Sequence, residues 1–224
     1  MTKSPQTLQE KQHPNLQFFL SRNIWAVGRN YADHASEMKV EVPDKKKHSP
    51  LFFLKAGSSL TTSSRIQLPT WSREIHHEIE LAYLIDENMQ FSHITLALDL
   101  TARDAQNVAK EKGQPWTLAK SFTNSCPIGN WISLAEIDQQ KNLEFDLSVN
   151  NQVAQIGSFS DMIFNPSELL DFAKKHYPLI PHDIILTGTP SGVGLLTAGD
   201  TLVARLWDST SAHQNILTQH WDVE

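Results

Sequence analysis

The segment His76-His77-Glu78-Ile79-Glu80-Leu81 carries two carboxylates separated by a single apolar residue. On a strand, side chains two apart share a face, so Glu78 and Glu80 project together while Ile79 and Leu81 turn into a core. Two carboxylates side by side on an apolar strand repel each other, and burying them without partners costs roughly several kcal/mol. A divalent cation removes that penalty. A third carboxylate, Asp99, ends the equally apolar stretch Ile94-Thr95-Leu96-Ala97-Leu98. Three oxygen ligands without a cysteine suit a hard ion such as Mg2+ or Mn2+ better than zinc, and leave about three octahedral positions for substrate and water. The same spacing is equally compatible with a solvated strand face, Asp99 then lying merely near a helix start. His77-Glu78 does not open a zinc-protease helix, because Leu81 stands where H-E-x-x-H needs its second histidine.

Further polar groups lie near these carboxylates in the sequence. Arg103 and Gln106, three apart on a helix, can face one site and bind a carboxylate and an enolate oxygen, or can form a surface face. Lys120, in the mostly apolar Trp116–Phe122 segment, could stabilise developing negative charge or snorkel to water. His34 and Glu37 are also three apart: an imidazole base oriented by a carboxylate, or a surface ion pair. Cys126 precedes Pro127 without an evident base and reads as structural. The loop Thr187-Gly188-Thr189-Pro190-Ser191-Gly192-Val193-Gly194 could bring backbone N–H groups close to a ligand, or be a bare turn. It lacks both the Gly-Lys-Ser/Thr of a phosphate loop and the third glycine of a dinucleotide fingerprint.

The elements that must position these groups alternate irregularly. The pattern predicts strands at Asn23–Val27, Leu51–Leu54 (buried), His76–Ile85, Ile94–Leu100, Leu143–Val149, Asp183–Thr187 and Thr201–Leu206. It predicts helices from Tyr31 to Lys39 with Asn30 as N-cap, from Thr101 as N-cap to Lys112 with Gly113 as stop, and from Pro166 to His176. Strands outnumber helices without a βαβ repeat, which predicts an α+β, β-rich domain.

At 224 residues the chain can bury a sizeable core, and a formal charge of −6 without a basic concentration gives no footprint for nucleic acid. One cysteine forbids a disulfide framework. The apolar patch of the first twenty residues, Phe18-Phe19-Leu20, is too short for a secretory signal or a membrane span. A cytoplasmic protein is therefore expected, with residues 1–20 as an amino-terminal extension and 21–224 as one catalytic domain.

Val27-Gly28-Arg29-Asn30-Tyr31-Ala32-Asp33-His34, Phe53-Leu54-Lys55, the Glu78/Glu80 segment, Leu98-Asp99-Leu100-Thr101-Ala102-Arg103-Asp104, Gly113-Gln114-Pro115-Trp116 through Lys120-Ser121-Phe122, and Leu186–Gly194 occur in one order. Together they resemble the fumarylacetoacetate hydrolase family, in its short acylpyruvase and oxaloacetate-tautomerase-like branch. The resemblance implies a mixed β-sandwich roll assembled as a homodimer, with Mg2+ or Mn2+ held by Glu78, Glu80 and Asp99. It implies His34 and Glu37 as a water-activating pair on a lid, and Lys120 as a catalytic cation. Arg29, Arg103, Gln106 and Thr189 fall on substrate-binding positions.

The activity so implied is hydrolysis of a carbon–carbon bond in small acylpyruvates, a class of β-diketo acid. His34 and Glu37 would deprotonate water, whose attack releases a carboxylic acid and pyruvate enolate, with Lys120 and the metal stabilising the enolate. The same site could instead interconvert the keto and enol forms of oxaloacetate, or decarboxylate it, with no attacking water. A third reading is a metal- and oxoacid-binding protein without catalysis, although such a protein has no need of a base.

Overall fold

The structure is a computed structural model, and it describes residues 23–38, 41–210 and 214–224. The extension expected over residues 1–20 lies outside the described residues. Four α-helices are present among them: α1 (Ala32–Glu37), α2 (Arg103–Lys112), α3 (Thr117–Lys120) and α4 (Pro166–His176). Strands dominate, as the pattern predicts.

The larger sheet runs in the order Ile132–Ser133, Phe91–Leu98, Ile79–Ile85, Ile184–Leu186, Asn23–Gly28, Leu51–Ala56. Its pairs are antiparallel except Asn23–Gly28 with Ile184–Leu186, which makes the sheet mixed. A second sheet orders Gln152–Ser158, Leu143–Val149, Thr201–Asp208, Gln214–Val223 and Arg65–Ile66. Ile79, Leu81, Tyr83, Leu96 and Leu98 of the first sheet pack with Phe145, Leu147, Leu206 and Trp221 of the second to form the principal core.

The opposite face of the larger sheet is covered too. Ile24, Ala26, Ala82, Leu84, Ala97, Ile184 and Leu186 form an apolar cluster there with Cys126 and Ile128. Every residue of the Ile79–Ile85 strand is consequently buried. A strand covered on both faces reads as a continuous apolar run, and a charge on either face meets protein rather than water. Glu80 shares its face with Ala82 and pairs in register with Ala97. The carboxylates therefore continue the second, covered face, which removes the solvated-face reading.

Three local expectations are corrected. The buried Leu51–Leu54 strand is an edge strand in which Leu51 and Leu54 are exposed and Lys55 is fully buried. Asn30 does not cap α1; Tyr31 holds that position without a side-chain cap. The Asn30 amide instead donates to Thr187 O at 2.7 Å and Phe164 O at 2.9 Å, and accepts from Phe164 N–H at 2.8 Å. Thr101 is not the cap of α2 either; it pairs in a short strand with His76, and Ala102 is the N-cap residue. Both polar side chains are used by tertiary partners that out-compete the local turn. Gly113 does stop α2, at φ 62°, and Asn165 closes a full capping box on α4.

Candidate functional site

Where the apolar packing of the second face ends, Glu78, Glu80 and Asp99 converge, with ligand oxygens all within 4.8 Å of one another. A break in the strand at Glu78 and the bond from Asp99 N–H to Glu78 O, 2.8 Å, bring the two chains together there. All three are buried.

Three cations surround them. Lys120 Nζ donates to Glu78 Oε2 at 2.8 Å, Asp99 Oδ2 at 2.5 Å and Thr101 Oγ1 at 2.6 Å. Arg103 donates to Glu78 Oε1 at 2.5 Å and to Gln106 Oε1 at 2.6 Å. Lys55, reaching in from the edge strand, donates to Asp99 Oδ1 at 2.7 Å and to the Lys120 carbonyl. Glu80 takes the Gly188 N–H at 2.6 Å, and no ion pair among the described residues involves it.

Protonation follows from this asymmetry. Burial works to raise the Glu78 pKa, but the charges of Lys120 and Arg103 outweigh it and hold the carboxyl well below its usual range. Burial, and then the Asp99 charge, push Glu80 well above the usual value of 4.5, against the pull of Lys120. Lys120 is pressed down by burial, yet Asp99 and Glu78 prevail and raise it, so it keeps its charge.

This donor set fits a hard divalent cation. All the candidate ligand atoms are carboxylate oxygens, and among the described residues Glu80 forms no ion pair, unlike Glu78 and Asp99. Each carboxylate oxygen carries two lone pairs, so oxygens that accept from Lys120 and Arg103 can also face an ion.

The triad forms the floor of a cavity of about 250 Å³, lined also by Arg29, His34, Arg103, Gln106, Lys120 and Thr189. Of the site residues expected from the sequence, only Glu37 is absent from the lining. It stands behind His34, with His34 Nδ1 3.3 Å from Glu37 Oε2. The Gly192 N–H donates to the same carboxylate at 3.1 and 3.2 Å. A carboxylate only accepts, so this contact places a proton on Nδ1, and in the neutral imidazole Nε2 then keeps its lone pair.

The glycine loop thus serves the site through protein groups: Gly188 anchors Glu80 and Gly192 anchors Glu37. Gly188 sits at φ 94°, and a Cβ there would lie 2.8 Å from the Asn30 Cβ. Thr189 Oγ1 donates to Ile79 O at 2.8 Å and accepts from Gln155 Nε2 at 2.8 Å.

Sequence reasoning gives no site role to Lys55, Thr101, Gln155 or Lys110. Lys55 carried a usable signal, a lysine closing an apolar strand. Lys110 carried another, seven residues after Arg103 on the same helix. Gln155 carried none, being brought in by a distant strand.

An all-oxygen carboxylate triad beside a buried lysine, on this fold, makes a site that could hold a divalent ion, and the chain's likeness to known proteins gives the family. The model of the fumarylacetoacetate (FAA) hydrolase C-terminal domain matches residues 23–218. The chain is 40 % identical over 194 residues to oxaloacetate tautomerase FAHD1, mitochondrial, of Bos taurus, covering 82 % of this chain and 86 % of that one. It is 41 % identical over 193 residues to oxaloacetate decarboxylase, mitochondrial, of Dictyostelium discoideum, covering 81 % and 87 %. Among solved structures, fumarylpyruvate hydrolase of Pseudomonas aeruginosa in complex with Mn2+ and pyruvate superposes with a TM-score of 0.80. Identity there is 26 %, over 91 % of this chain and 89 % of that one. The chain belongs to the fumarylacetoacetate hydrolase family.

Proposed function

We propose that this protein interconverts the keto and enol forms of oxaloacetate at the site formed by Glu78, Glu80, Asp99, Lys120 and His34. The observation that carries the reading is the meeting of the carboxylate triad with the charged Lys120 on the floor of a cavity that His34 also lines. The activities named for the two relatives of about 40 % identity support oxaloacetate as the substrate.

Glu78, Glu80 and Asp99 would hold Mg2+ or Mn2+, which supplies Lewis-acid polarisation of the 2-oxo group. Arg103 and Gln106 grip the adjacent carboxylate, with Thr189 at the cavity wall. His34 Nε2 takes a proton from carbon 3, and Glu37 stabilises the imidazolium that results. Lys120 offers its charge to the enolate oxygen. Reprotonation at oxygen gives the enol, and at carbon 3 the ketone.

A second reading, hydrolysis of acylpyruvates, is favoured by one feature. Glu37 is fixed by both His34 and the Gly192 N–H, an arrangement that also suits deprotonation of water.

The test follows the ultraviolet absorbance of oxaloacetate added as its enol, with Mg2+ or EDTA, while pyruvate is quantified. Metal-dependent decay without pyruvate supports tautomerisation; decay with stoichiometric pyruvate replaces it by decarboxylation. Silence on oxaloacetate, with acetylpyruvate cleaved to acetate and pyruvate, replaces it by hydrolysis. His34→Ala is expected to lower turnover about a hundredfold or more while preserving metal binding. Unchanged turnover removes His34 from the proton path.

A further inference from the structure

Each of the three cations around the triad already has a carboxylate partner within it. Arg103 pairs with Glu78, Lys120 with Glu78 and Asp99, and Lys55 with Asp99. Two other cations line the cavity, Arg29 and Lys110, and neither forms an ion pair among the described residues. Lys110 is the one that no reading above uses.

Its position is set by α2. Arg103, Gln106 and Lys110 stand at i, i+3 and i+7, so one helix face presents all three to the cavity. From Arg103 to Lys110 the helix rises about 10 Å. Helical side chains lean toward the amino terminus, so the Lys110 stem returns over the turn of Gln106. Its Nζ lies 5.6 Å from the centroid of the Trp116 ring, a second lining residue that holds the ammonium without neutralising it. Burial and then the Arg103 charge lower the Lys110 pKa, with Lys120 and Arg29 adding to the effect and Glu78 opposing it. Arg29 and Lys110 thus give the cavity two cations that form no ion pair among the described residues.

We propose that Lys110 determines specificity by binding the distal carboxylate of the substrate, so that the site selects short 2-oxo dicarboxylates over 2-oxo acids with an uncharged tail. The inference rests on the oxaloacetate reading and extends it. With Arg103 and Gln106 at the proximal carboxylate, a four-carbon chain spans only about 4 Å between its terminal carbons, three bonds of about 1.5 Å. The flexible lysine stem closes the rest of the gap. Arg29 faces the same cavity and can share the load.

The test compares the wild-type, Lys110→Met and Lys110→Arg proteins, each loaded with Mn2+. Methionine keeps an unbranched stem against Trp116 and removes only the charge. The expected result is a rise in KM for oxaloacetate of about ten- to a hundredfold, with kcat far less affected, and substantial recovery in the arginine variant. Calorimetric titration with malate and with lactate, which differ by the distal carboxylate and undergo neither reaction, is expected to show malate weakened similarly and lactate unchanged. Equal weakening of both ligands, or undiminished malate binding, overturns the inference. If the wild type does not turn over oxaloacetate, the reaction reading falls alone, because the malate and lactate titrations still decide the role of Lys110.

Discussion

Replacing Glu80 by glutamine separates its two roles, buried acid and proposed metal ligand. In the metal-free protein its pKa is raised above 4.5 by burial and by Asp99. A folded-state pKa above the unfolded value means a contribution to stability that is fully present below the unfolded pKa. That contribution is lost as pH rises through the folded value. Glutamine imitates the protonated acid at every pH. In EDTA the variant is therefore expected to melt no lower than the wild type, and its relative stability should grow as pH rises above the ordinary carboxylate range. With metal the order reverses. An ion at a hundred times its Kd stabilises the folded wild type by about 2.7 kcal/mol. At about 2–4 °C per kcal/mol for a chain of this size, Tm should rise by roughly 5–11 °C. The variant, with a neutral amide in place of an anionic ligand, should gain less than about 2 °C. Thermal melts with a Mn2+ or Mg2+ titration read both effects. An equal metal-induced rise in the variant removes Glu80 from the binding site. A variant that melts far below the wild type in EDTA refutes the protonation argument.

Two further substitutions probe what supports the site. Lys55→Met strips Asp99 of a fully buried partner, and breaking such a pair from one side costs about 3–5 kcal/mol; denaturant melts showing less than about 1 kcal/mol would rule out that Lys55 neutralises Asp99. Gly192→Ala places a Cβ 2.0 Å from the Ala154 carbonyl oxygen at φ 93°. The loop must then shift and its N–H leave Glu37, so turnover should fall about tenfold or more while the metal-induced Tm rise persists. Loss of that rise as well would show that the loop supports the triad rather than the His34–Glu37 pair.

Much of the candidate site was legible because it rests on short-range geometry. A period of two places Glu78 and Glu80 on one face, and the apolar run before Asp99 marks a paired strand. The end of α2 at Gly113 and the whole of α4 were legible for the same reason, since a left-handed stop and a helix-starting proline act within one turn. The misread positions were those whose polar side chains had distant competitors. Asn30 resembles a cap, but its amide is taken by carbonyls more than a hundred residues away. Thr101 resembles one too, and receives Lys120 instead. Leu51–Leu54 looks buried because an apolar run does not reveal that its strand lies at a sheet edge.

By itself, then, the sequence determined the β-rich α+β character, the carboxylate pair with Asp99, and the candidate partners His34, Glu37, Arg103, Gln106 and Lys120. Tertiary structure alone decided that both faces of the Ile79–Ile85 strand are covered, which makes its carboxylates buried groups in need of counter-charge. It also decided which cation answers which carboxylate, with no ion pair to Glu80 among the described residues and Lys110 lining the cavity. The physical reason is range: backbone periodicity acts over a few residues, whereas burial and charge pairing depend on segments that meet only when the sheets close.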